Sequence, residues 1–137
     1  MPYPKPLQER LDDLSLFPDR ADRIDALVEI GAEYRNFTPE EVPRSAENRV
    51  PGCESEVFFA ADPQPDGTQK YKFAVDNPQG ISAMALAQML QSLSGQSRRD
   101  VADIDEGVVF EIFGRELSMG KSLGLVNMVR MLKAAAS

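Results

Sequence analysis

Residues 36–52, NFTPEEVPRSAENRVPG, carry three prolines and end on a glycine. Pro39, Pro43 and Pro51 lack a backbone donor and push the residue before each toward extended backbone, so no helix runs through this segment. It splits the chain by hydrophobic rhythm. Before it the apolar residues recur at helical spacing; after it the pattern changes to period two and then becomes helical again. Irregular connections of this length in a compact domain are commonly functional. This one delivers the chain to Cys53, the only cysteine in 137 residues.

In PLQERLDDLSL, Leu7, Leu11 and Leu14 stand at helical spacing, and Pro18 closes the segment. DRADRIDALVEIGAEYR predicts a second helix, with Ile24, Leu27 and Val28 on its core face and Gly31 as a close-packing point. Asp19 and Asp22 suit its positive N-terminal end. From Cys53 onward, Cys53, Ser55, Val57 and Phe59 share one strand face, and Glu54, Glu56 and Phe58 the other. An Asp66-Gly67 turn leads into a returning strand, KYKFAV, which makes an antiparallel hairpin with room for one further strand. Helical segments finish the chain. One carries Leu86, Met89, Leu90 and Leu93 and stops near Gly95; two short turns flank Gly107; the last carries Leu125, Met128, Val129 and Leu132. The methionines read as core filler. Helices, a small antiparallel sheet, then helices give the α+β class, as one domain over residues 1–137 with an N-terminal helical extension over 1–18.

Composition removes several function classes. A formal net charge of −7 opposes a phosphate-binding surface, so nucleic acid is not expected as a partner, and the Arg98-Arg99 pair sits among aspartates. No apolar run approaches the roughly 20 residues that span a bilayer. MPYPKPLQER has no apolar core and does not read as a signal peptide, and the cysteine usage suits the cytoplasm. There is no histidine, so neither a Cys-His nucleophile pair nor a credible zinc set can be assembled.

Cys53 admits two readings. A free cysteine on the face of Val57 and Phe59 suits a small core residue, and Glu54 and Glu56 would raise its thiol pKa with no cation adjacent in sequence. On that reading the chain is a non-catalytic α+β interaction module. A lone, partly sheltered thiol behind a stiff Pro51-Gly52 turn also suits a carrier of sulfane sulfur. A second thiol nearby would close a disulfide and release the cargo as sulfide.

The stretch NRVPGCESEVFF resembles the cysteine motif of the SufE family, V-x-G-C-x-S-x-V, through Val50, Gly52, Cys53, Ser55 and Val57. DALVEIGAEYRNFTPEEVPRSAEN is similar to that family's helix and its proline-rich approach to the cysteine. ISAMALAQMLQSLSGQ resembles its helix after the sheet. LSMGKSLGLVNMV resembles its L-S-x-x-R-x-x-G-L segment through Leu117, Ser118, Gly124 and Leu125. The chain departs at two points: Lys121 stands where the family has arginine, and a pair of aspartates is reduced to Asp76, with Pro78 near the second position.

The resemblance implies a SufE/NifU-like fold. It also implies a sulfur acceptor that takes persulfide sulfur from a PLP-dependent, SufS-type cysteine desulfurase onto Cys53, stimulates that enzyme, and passes the sulfur to a SufB-type scaffold for iron-sulfur clusters. Such a chain is a sulfurtransferase-like carrier without turnover of its own, cytoplasmic, and a monomer or weak homodimer. It binds no cofactor or metal; the PLP belongs to the desulfurase. Cys53 then carries the persulfide, with Gly52, Glu54, Ser55 and Lys121 as cysteine-loop and partner contacts. A protected carrier also implies a loop that moves on docking.

Overall fold

The computed structural model describes residues 3–114 and 119–137, with side chains in the second span from Ser122 onward. Among them are six α-helices and one two-stranded antiparallel sheet, an α+β domain. The helices are α1 (Lys5–Ser15), α2 (Arg20–Glu33), α3 (Ser82–Gln91), α4 (Arg98–Ala102), α5 (Val108–Phe113) and α6 (Met119–Ala136). The strands are β1 (Glu56–Pro63) and β2 (Gln69–Asp76), paired from Glu56↔Asp76 to Pro63↔Gln69.

The hairpin turn follows the expected chemistry. The Asp66 carboxylate accepts from the Thr68 N–H at 3.0 Å and the Thr68 hydroxyl at 2.6 Å. Gly67 takes a φ of +89°, which a side chain would resist. One sheet face carries Val57, Phe59, Tyr71, Phe73 and Val75 into the main core, where Phe59 and Phe73 rings meet at 4.8 Å. Leu7, Leu11 and Leu14 of α1 are buried in the same core, as are Leu86, Met89, Leu90 and Leu93 after the sheet and Leu125, Met128, Val129 and Leu132 of α6. The other sheet face is covered by the proline-rich connection, where Val42 packs with Phe58 and Ala74.

Among the described residues no third strand joins the hairpin, and its edges explain why. The outward N–H groups of β2 are met by side chains: Tyr71 N–H by the Ser94 hydroxyl at 3.0 Å, Phe73 N–H by the Gln91 amide at 2.9 Å, and Val75 N–H by the Tyr34 hydroxyl at 3.0 Å. On the β1 side, Val50 N–H donates to Val57 O at 2.8 Å, and Arg49 forms a bridge with Phe58. The β2 edge and the start of the β1 edge are thus occupied by the chain itself, which protects a short sheet from pairing with other strands there.

The predicted face of α2 is corrected. Leu27, Ile30 and Gly31 are buried, whereas Ile24 and Val28 are each 46% exposed. The helix is rotated so that Gly31 abuts α3. A Cβ there would lie 2.4 Å from the Ile81 side chain, so Gly31 is the close-packing point that the spacing indicates. No helix among the described residues is long and apolar enough to cross a membrane.

Candidate functional site: the Cys53 turn

Three elements converge on Cys53. The proline-rich connection leads in through a short 3-10 turn, Ala46–Asn48, and the hydrogen bond from Val50 to Val57 ties its end to β1. Pro51 and Gly52 then reverse the chain, with Gly52 at a φ of +82°. Cys53 follows in this turn rather than in the strand, which begins at Glu56. The prediction of a strand from Cys53 is therefore corrected: ladder pairing begins at Glu56, opposite Asp76.

Cys53 is half-buried, packed against the main core on one side. It lines a cleft of about 280 Å³ together with Glu54, Ser55, residues 79–83 at the start of α3, and Gly124 and Leu125 of α6. Glu54 is exposed at the rim, and Ser55 is buried in the wall. The Ser55 hydroxyl accepts from the Gln79 N–H at 2.7 Å and so ties the cysteine turn to the loop before α3. Gly52 meets α6, where Leu123 is 51% exposed next to it.

Burial pushes the Cys53 thiol up to about 11, and the positive field of Arg49 partly offsets this. The direction agrees with expectation, but the cause is desolvation rather than Glu54 and Glu56. Arg49, four positions upstream of Cys53, is the source of that opposing field. Its guanidinium stacks over the Phe58 ring at 5.9 Å, a cation–π placement that holds it near the turn. The signal was present as the spacing R-x-x-x-C across a tight turn.

Asp76 has a structural task. Its carboxylate receives Nε and Nη2 of Arg44 at 2.8 and 3.1 Å and the Asn36 amide at 3.0 Å. Arg44 also donates to Phe37, Thr38 and Val42 carbonyls. The Arg44 and Asn36 hydrogen bonds hold the Asp76 carboxyl below the usual carboxylate range. Leu117, Ser118 and the Lys121 side chain lie outside the described residues. Arg98 donates to the Ala136 and Ser137 carbonyls.

The fold and the site define a class: a small α+β domain that presents one sheltered thiol at a tight turn beside a cleft. The chain belongs to the SufE family, the Fe-S metabolism associated domain, whose family model matches residues 8–136. Two SufE-like proteins, both described as uncharacterised, are similar to it. One, from Rhizobium etli, is 29% identical and the match covers 95% of this chain and 88% of that protein. The other, from Rhizobium meliloti, is 27% identical, covering 95% and 94%. The solution structure of a hypothetical protein from Thermus thermophilus superposes with a TM-score of 0.72 at 22% identity, covering 98% of this chain and 95% of that one. That likeness speaks for the fold.

Proposed function

We propose that Cys53 is a persulfide carrier that takes sulfane sulfur from a PLP-dependent, SufS-type cysteine desulfurase and delivers it to a SufB-type scaffold for cluster assembly. The observation that carries this reading is the lone thiol at the Pro51-Gly52 turn, half-buried beside an open cleft, in a member of a family associated with Fe-S metabolism. In the transfer step Cys53 loses its proton and its thiolate attacks the outer sulfur of the donor persulfide. A new S–S bond forms on Cys53 as the donor's S–S bond breaks, and the donor cysteine leaves as a thiolate that takes up a proton. No net oxidation or reduction occurs, so no external electron acceptor is needed.

A free Cys53 held protonated is a poor nucleophile and resists adventitious alkylation and oxidation. On this reading the thiol becomes reactive only when a partner supplies positive field or draws it from its packing. Accepting sulfur clears the desulfurase for another turnover, which is how such a carrier raises the enzyme's rate. Gly52, Glu54 and Ser55 shape and rim the turn, and Lys121 belongs to the same proposal as a partner contact. The PLP, iron and cluster reside in the partners. The packing of Cys53 against the core favours the rival reading, a non-catalytic interaction module with a structural cysteine.

Intact-mass spectrometry separates the two. The protein is mixed with an active cognate desulfurase and cysteine without reductant, beside Cys53→Ser. A reductant-sensitive gain of one sulfur atom, about 32 Da, in the wild type alone is expected from persulfide exchange. An unchanged wild-type mass overturns the proposal and leaves Cys53 to the core.

A further inference from the structure

The wall of the cleft opposite the cysteine turn is α6, and it meets the turn at unusually close range. A Cβ placed on Gly124 would lie 2.6 Å from Cys53 Cα, 2.8 Å from Cys53 Sγ and 2.8 Å from Gly52 O. Two of these three are backbone atoms, which cannot swing aside as a flexible side-chain tip can. Gly124 has no need of positive φ, so close approach accounts for it better than turn geometry. One turn further along the helix, the Asn127 amide nitrogen donates to Pro51 O at 2.8 Å.

The orientation of that amide is itself determined. The Asn127 carbonyl oxygen accepts from Arg130 Nη1 at 3.4 Å, and Arg130 is ion-paired through Nε with Glu106 at 2.9 Å. With its oxygen engaged by a cation, Asn127 has its NH2 group left for Pro51. A Cβ on Gly52 would also stand 3.1 Å from Leu123 Cγ and 3.5 Å from Asn127 Nδ2, so both partners in the contact are trimmed to fit.

We propose that Gly124 and Asn127 are positioning residues for Cys53: the missing side chain at 124 lets the cysteine turn lie against α6, and the amide at 127 clasps it there, so that together they set how far the thiol withdraws from solvent. Both act through the placement of the turn. The raised thiol pKa agrees with a seated turn. The inference rests on the reading of Cys53 as the reacting group.

The test is the pH dependence of iodoacetamide alkylation at Cys53, followed by mass in the wild type, Gly124→Ala and Asn127→Ala, with circular dichroism and a thermal melt on each. Gly124→Ala must lift the turn off the helix. Its alkylation midpoint falls toward that of an ordinary cysteine, and each unit of fall raises the thiolate fraction at neutral pH about tenfold. Asn127→Ala releases one clasp and gives a smaller rise, about threefold at pH 7.5. Folded variants whose midpoints match the wild type overturn the inference. If Gly124→Ala does not fold, Asn127→Ala decides alone, and an unmoved midpoint there has the same force.

Alkylation needs no sulfur donor, so the two failures are distinguishable. A wild type that takes up no sulfur ends the carrier proposal without altering the alkylation result. A wild type that loads sulfur while both variants alkylate as it does ends the positioning role alone.

Discussion

The two halves of the connection between α2 and β1 are built from similar residues and held in different ways. The first, residues 36–44, is bolted to the sheet. Arg44 makes a two-pronged contact with Asp76 and gathers three loop carbonyls, while the Asn36 side chain reaches Asp76 and the Val75 N–H. Among the described residues, the second, residues 50–55, is held by single neutral hydrogen bonds: Val50 to Val57, Asn127 to Pro51 and Gln79 to Ser55. Charge-assisted bonds are about twice as strong as neutral ones, so the foundation is rigid and the tip is lightly held. On the carrier proposal, a thiol sheltered when idle and available on docking is better served by that division than by uniform stiffness.

The comparison breaks most severely at Arg44. Arg44→Ala leaves the partly buried Asp76 carboxylate and several carbonyls without their donor, and a loss of about 2–3 kcal/mol in urea unfolding is expected. A loss below about 0.5 kcal/mol would mean the first half is not anchored as described, since changes of that size are ordinary for surface sites.

Acid should single out the same half. The Asp76 carboxyl is held below its ordinary value in the folded protein, so its stabilisation is present above the unfolded pKa of about 3.9 and is lost as pH falls through the folded value. Asp76→Asn should therefore flatten the acid limb of stability against pH, measured by thermal melting. An unchanged limb would assign the acid sensitivity to other carboxylates.

The second half should respond weakly in stability. Gly52→Ala imposes a side chain at positive φ against Leu123, at a cost of about 1–2 kcal/mol. Asn127→Ala removes one neutral hydrogen bond and should cost about 0.5–1.5 kcal/mol in the same unfolding assay. A cost at Asn127 equal to that at Arg44 would erase the contrast between foundation and tip. The smallest effect is expected on α2, where Ile24→Ser, at an exposed position, should shift stability by no more than about 0.5 kcal/mol.

Much of the fold was legible from local pattern. The leucine spacings of α1, α3 and α6, the Asp66-Gly67 turn and the glycine between α4 and α5 each express a short-range rule, and each holds in the structure. The apolar face of α2 was misread because Ile24, Leu27, Val28 and Ile30 spread over about 160° of the helix, wider than the strip around Leu27, Ile30 and Gly31 that is buried. Only the neighbours can select which of them to bury. The start of β1 was misplaced because an alternating pattern cannot show where ladder pairing begins. The family motif was legible through Val50, Gly52, Cys53, Ser55 and Val57. The electrostatics of the cysteine turn were not, since they are set first by the burial of the thiol, which exists only in the packed chain.

The sequence by itself determined the α+β order, the uniqueness of the thiol, the stiff proline-rich approach to it and the membership of the SufE family that its motifs express. These are properties of near neighbours along the chain, where sterics and periodicity operate. Only the tertiary structure decided how deeply Cys53 sits, that Asp76 braces the loop through Arg44, and that Gly124 and Asn127 meet the turn from a helix some 70 residues away in sequence. The physical reason is range. Desolvation, close backbone approach and hydrogen bonding between distant segments exist only once the chain has packed, and they govern whether a thiol is an inert filler or a guarded nucleophile.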